Sequence, residues 1–327
     1  MKKFFVREGR LRSGWRIALY LIASLIVTIV GSLGIGLLVG LTIGAALANQ
    51  GVPNAEISAR IQTMFTHLFD FPLLALSFQG ARVLLGLGLI WLFRRWIDKR
   101  EFRALGFQLT NGWWKEFGAG FVFILAMWVM IFALTLLTGA AQISEVGPSL
   151  NFAAILGALA FGLGFNLLVG IIEEADARGY ILQNLAEGIR FAPAVIISSA
   201  YFAFLHRLNP GAGWGSTIGI FFAGITLAMG YYLTQRLWFS IGMHAAWNFA
   251  EGPVFGFLVS GLDMGGLFKI NVTGPEWLMG GAFGPEAGAL AIGVEIAMIF
   301  ILFTWARRKN GTLMNAGKIR LDTDVHR

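Results

Sequence analysis

Residues 150–178, LNFAAILGALAFGLGFNLLVGIIEEADAR, decide how this chain is read. The first 23 of them, 150–172, contain no charge and are long enough to cross a bilayer. Glu173, Glu174, Asp176 and Arg178 follow at once. A charge at bilayer depth costs at least ~2.5–3.5 kcal/mol on the lenient insertion scale, so acids set inside a membrane helix need a compensating reason. Chemistry is the leading candidate.

The rest of the chain supports a membrane setting. Of its 327 residues, 57% are hydrophobic and 13% charged, against about 25% charged in soluble domains. Long apolar runs give eight candidate spans, roughly 17–48, 71–93, 117–139, 150–185, 191–205, 215–235, 237–259 and 287–306. Lipid-exposed backbone must satisfy its own hydrogen bonds, so the expected fold is an all-α polytopic transmembrane bundle of about eight helices. Little mass lies outside the spans, and one domain is expected over 17–306.

The net charge of +7 is distributed by topology. Six basic residues precede the first span, six lie between spans two and three, and six follow from Arg307 onward. Loops 49–70 and 139–149 hold only Arg60. This alternation is the positive-inside pattern and predicts two basic cytoplasmic ends, 1–16 and 307–327. It assigns the basic excess to orientation, with the bilayer as partner and no nucleic acid. The first apolar stretch, at 32 residues, is too long for a signal peptide's 7–15-residue core and is expected to be a retained span. Gly36, Gly40 and Gly44 within it predict close helix packing. The absence of cysteine excludes disulfides and thiolate chemistry.

Polar residues at membrane depth carry the functional signal. Two of only four histidines fall in apolar stretches, His206 in YFAFLHR and His244 in IGMHAAWNF. Glu174 and Arg178 stand four apart with the acid nearer the N-terminus, the favourable order for a helical ion pair. Glu173 points about 100° away and is left free to face an interior cavity. His244 and Asn248 share one helix face, as do Phe202 and His206. A buried carboxylate beside a histidine can take a proton from water, and a histidine–asparagine pair can donate to a developing oxyanion. Such a hydrolase needs no serine or cysteine nucleophile. HExxH is absent, WGSTIG around Ser216 lacks the glycine after a rhomboid-type serine, and GLDMG fails the aspartyl GxGD pattern.

In order, EExxxR (Glu173–Arg178), FxxxH (Phe202–His206) and HxxxN (His244–Asn248) resemble the CPBP family of intramembrane proteases, which includes the CAAX prenyl endopeptidases and bacterial Abi proteins. The three motifs cover about 76 residues. The resemblance implies an intramembrane endopeptidase in which Glu173 and His206 activate water and His244 with Asn248 forms the oxyanion hole. It makes Glu174 and Arg178 support residues and implies a membrane-associated or transmembrane polypeptide substrate. Asp176 departs from the apolar or aromatic residues usual there. Some family names say metalloprotease, and a zinc ion would take Glu173, His206 and His244, yet three ligands on separate helices favour a metal-free glutamate mechanism. For Glu173 and His206 to meet, helix four must run on through Arg178 to about Leu185. Glu251 shares the His244 face, and Glu295 is an unexplained charge that Arg82 could pair with. The expected location is a bacterial inner membrane. A proton-coupled transporter or a catalytically silent immunity or scaffold protein are the alternatives, although no repeat relates the two halves as in many transporters.

Overall fold

The computed structural model describes residues 5–7, 9–110, 112–147 and 151–309. A short hairpin, β1 (Val6–Arg7) with β2 (Arg10–Leu11), leads into α1 (Ser13–Asn49). Then come α2 (Asn54–Thr66), α3 (Pro72–Leu92, continued by a π turn Phe93–Ile97) and α4 (Trp113–Leu137). Next are β3 (Ala141–Val146), α5 (Phe152–Glu174), a π turn Ala175–Ile181 and α6 (Leu182–Ile189). The chain continues with α7 (Phe191–Leu205), α8 (Trp214–Thr234), α9 (Leu237–Phe249, with a π turn Ala250–Val254), β4 (Phe268–Val272), α10 (Glu276–Met279) and α11 (Ala289–Lys309).

Among the described residues seven helices are long and apolar enough to cross a membrane: Ser13–Asn49, Pro72–Ile97, Trp113–Leu137, Phe152–Ile189, Phe191–Leu208, Trp214–Thr234 and Ala289–Lys309. The all-α membrane bundle is as the sequence predicts. The eighth apolar run, 237–259, has a different origin. It forms α9, in which every residue from Leu237 to Trp247 except Trp238 is buried. Its apolarity reflects a protein interior rather than contact with lipid. Glycine seams admit it: a methyl placed on Gly242 would meet Phe117 O at 2.1 Å, and one on Gly120 would meet Phe239 O at 2.2 Å. Small residues at both positions let the backbones of α4 and α9 touch.

The outer face of α1 exposes Leu33, Leu37, Leu38 and Leu41, an apolar surface that suits lipid. Of the predicted glycine stripe, Gly40 and Gly44 face Ile61 and Ile57 of α2, whereas a methyl on Gly36 would touch nothing. The N-terminal end of α1 is fastened by charge. Arg16 bonds Asp98 at 3.3 Å and also Glu187, which Arg100 grips as well, while Arg94 and the Tyr180 hydroxyl both donate to Asp98 at 3.3 Å. This buried network ties α1 and the end of α3 to α6. The sequence reading also missed the antiparallel pair β3–β4, registered Ala141↔Val272 to Val146↔Phe268 with a bulge.

Candidate active site

The helix bearing Glu173 runs unbroken from Phe152 to Ile189, which meets the extension required above. Glu173 lies 21 residues after its start and 16 before its end, well inside the helix. The π turn Ala175–Ile181 follows directly, a wider local geometry that often accompanies functional sites. Arg190, at φ +80°, ends α6 and turns the chain into α7.

Glu173 and Glu174 diverge as the helical wheel requires. Glu174 is fully buried, and its Oε1 accepts from Arg178 Nη1 at 2.8 Å and from His244 Nδ1 at 2.9 Å. Arg178 Nη2 donates to Gly224 O at 3.0 Å, and its guanidinium lies 4.3 Å over the Phe202 ring. A methyl on Gly224 would strike Ser199 Cβ at 2.8 Å, so a glycine here keeps α8 close enough to offer that carbonyl. Phe202 also meets both imidazoles, with ring centroids 4.7 Å from His206 and 5.9 Å from His244.

Glu173 turns toward a different set. Its Oε2 lies 3.8 Å from His244 Nε2 and 3.9 Å from His206 Nε2. His206 Nδ1 is 2.8 Å from Phe202 O, an acceptor only, so Nδ1 carries the proton and the Nε2 lone pair faces the site. The FxxxH spacing therefore does two things: it stacks the ring and fixes the tautomer. Both histidines are oriented through Nδ1, one by a neutral carbonyl and the other by a carboxylate. Asn248 is half-buried, and among the described residues its carboxamide has no hydrogen-bond partner.

The structure thus brings Glu173, His206 and His244 together, sets Glu174 and Arg178 behind His244, and places Asn248 one turn further along α9. Two expectations need correction. Glu173 is not free, because Arg82 Nη2 of α3 donates to its Oε1 at 2.9 Å. Arg82 does not pair with Glu295, which is 1% exposed with both carboxyl oxygens unpartnered among the described residues. The reason is topological: α3 packs beside α5, whereas Glu295 on α11 packs beside α8. Glu251 is likewise fully buried with both oxygens unpartnered. Asp176 is absorbed by two phenols, Tyr20 of α1 on Oδ1 and Tyr201 of α7 on Oδ2 at 3.0 Å. These donors explain how an acid is tolerated there. Neither tyrosine carries a sequence signal linking it to Asp176, since they are 156 and 25 residues away.

A zinc ion can be tested against this donor set. Bonds of about 2.0–2.2 Å in a tetrahedral site put neighbouring ligand atoms roughly 3.3–3.6 Å apart. Here the two Nε2–Oε2 separations are 3.8 and 3.9 Å. Among the described residues no three His, Asp or Glu side chains form a group able to hold an ion. The set as it stands does not fit zinc.

Residues 155–250 match the family model described as Rce1-like, type II CAAX prenyl endopeptidase. No curated protein and no solved structure matches the chain at a significant level. All seven motif side chains fall inside the matched segment, and this similarity supports the CPBP/CAAX protease family that the motifs resemble.

Proposed function

We propose that this chain hydrolyses a peptide bond at membrane depth, with Glu173 and His206 activating water and His244 with Asn248 holding the oxyanion. The observation that carries the reading is the meeting of Glu173 Oε2 with both Nε2 atoms, each imidazole being held from behind at Nδ1. A water placed between Glu173 and His206 gives one O–H to Oε2 and the other to the Nε2 lone pair. Both acceptors polarise it toward attack on the substrate carbonyl. As the new C–O bond forms, Glu173 takes the proton and the carbonyl oxygen becomes an oxyanion. Collapse of the tetrahedral intermediate breaks the C–N bond, and Glu173 returns the proton to the leaving amine.

The backs of the two imidazoles support dividing their roles. His206 rests on a neutral carbonyl and suits the acceptor role. His244 rests on the Glu174 carboxylate, which fixes the ring, and when Nε2 bears a proton it donates to the oxyanion beside the Asn248 carboxamide.

The substrate on this reading is a membrane-associated or transmembrane polypeptide, and the similarity to type II CAAX prenyl endopeptidases makes prenylated CAAX-type sequences the first class to try. On the same reading the protein is one of a bacterial inner membrane, with its basic ends, 1–16 and 307–327, in the cytoplasm and the transmembrane unit over 17–306. Residues 310–327 lie outside the described residues. The test is turnover of a farnesylated CAAX-type peptide by purified protein. Glu173→Gln should lower kcat by about 10²–10⁴-fold with the fold intact, and prolonged chelation should leave the wild-type rate standing. Near-normal turnover in Glu173→Gln would remove Glu173 as the base. Activity lost on chelation and restored by zinc would replace the metal-free mechanism.

A further inference from the structure

Arg82 lies outside the matched segment and belongs to none of the three motifs. It is the only charged residue between Asp70 and Arg94, so a single guanidinium interrupts an otherwise uncharged membrane helix. Its position is set by a close approach of α3 and α5. A methyl on Gly86 would lie 2.4 Å from Ile172 Cδ1, so the glycine lets the tip of that side chain seat against the α3 backbone. Arg82 stands one turn before Gly86, and Glu173 follows Ile172, so the seam that seats Gly86 also sets the guanidinium level with the carboxylate.

The acids of the stretch have separate donors. Glu174 holds Arg178 and His244, and Asp176 holds Tyr20 and Tyr201. Glu173 has Arg82, on Oε1 alone, while Oε2 faces the histidines. The Arg82 side chain is 53% exposed, and Glu173 is 16% exposed. A residue that half-exposed does little for packing, and its contact is with the group that does the chemistry.

We infer that Arg82 is a positioning residue for Glu173: by holding Oε1 it turns Oε2 to the water between the histidines and supplies the compensating charge inside the membrane. The inference rests on the reading of Glu173 as the base. In the absence of Arg82 the carboxylate can rotate about its last torsion, and neither oxygen is committed to the site.

The experiment compares Arg82→Gln, Arg82→Lys and Glu173→Gln, in detergent, by kcat and KM on a farnesylated CAAX-type peptide and by thermal midpoint. Arg82→Gln should lose about 10–100-fold in kcat, the scale of a misplaced reacting group, with KM and midpoint near wild type. Arg82→Lys should fall between, since an ammonium keeps the charge but not the planar fork. A kcat within twofold of wild type in Arg82→Gln, beside an inactive Glu173→Gln, overturns the inference and leaves the hydrolase reading intact. An active Glu173→Gln instead overturns that reading and the inference with it. If Arg82→Gln does not fold, Arg82→Lys decides: an intermediate kcat supports the inference and an unchanged kcat overturns it.

Discussion

Glu174 offers the sharpest test of how the site is held, because structure and chemistry depend on it in separable ways. Replacing it by leucine removes an acceptor that takes two hydrogen bonds, from Arg178 at 2.8 Å and His244 at 2.9 Å. Hydrogen bonds to charged groups contribute about 1.5–3 kcal/mol each. Removing one partner of a buried ion pair costs about 3–5 kcal/mol, since the other charge stays buried. Arg178 is 1% exposed and would keep only Gly224 O and the Phe202 ring. Glu174→Leu should therefore lose about 3–5 kcal/mol. The double variant Glu174→Leu/Arg178→Met removes both charges and should recover at least about 2 kcal/mol of that loss, as apolar replacements of buried pairs do. It should nevertheless stay inactive, because His244 has lost the acceptor at Nδ1; disorienting a catalytic imidazole costs about 10²–10⁴-fold. Denaturation in detergent followed by tryptophan fluorescence gives the stabilities, and peptide turnover gives the rates. A double variant no more stable than Glu174→Leu would refute the ion-pair argument. Wild-type turnover in the double variant would refute the orienting role.

Two further expectations concern the frame around the site. Asp176→Asn weakens the seat of the Tyr20 and Tyr201 hydroxyls and should cost about 1–2 kcal/mol, with α1 becoming easier to cleave in limited proteolysis; unchanged stability and protection would mean the phenols do not anchor α1. Reporter fusions at Gly147 and Asn310 should report opposite sides of the membrane, since the first lies in the base-poor loop 139–149 and the second in the basic tail; agreement between them would overturn the orientation drawn from the basic loops.

What could be read from sequence here was whatever is local to one helix. The Glu174–Arg178 pair and the Phe202–His206 face are i to i+4 relations, the divergence of Glu173 from Glu174 is the 100° step between neighbours, and the helix itself enforces all three. The apolar runs marked the helices for the same reason. Hydropathy could not separate a lipid-facing helix from α9, because burial in protein and burial in lipid select the same residues. It also could not show that α2 covers Gly40 and Gly44 while leaving Gly36 bare. Arg82 was visible as a charge out of place, but its partner depends on which helices are neighbours. The Gly86–Ile172 contact sets that, and no periodicity on α3 alone encodes it.

The three acids within four residues show why the neighbours matter. On one helix they share nearly the same depth, and composition makes them alike. Glu174 turns inward to a fully buried arginine, so it is a fixed structural charge that also steers His244. Asp176 turns to two phenols from α1 and α7, neutral donors that hold a carboxyl without bringing in a cation. Glu173 meets a half-exposed arginine on one oxygen and the two imidazole Nε2 atoms, from separate helices, near the other. Proton transfer needs an acceptor with one oxygen uncommitted to a permanent donor. Glu174 has one as well, but its Oε2 is sealed in the interior with no partner among the described residues. Oε2 of Glu173 is the one that combines an uncommitted lone pair with a route to water, and that combination, more than the motif spelling, supports the base proposed for it.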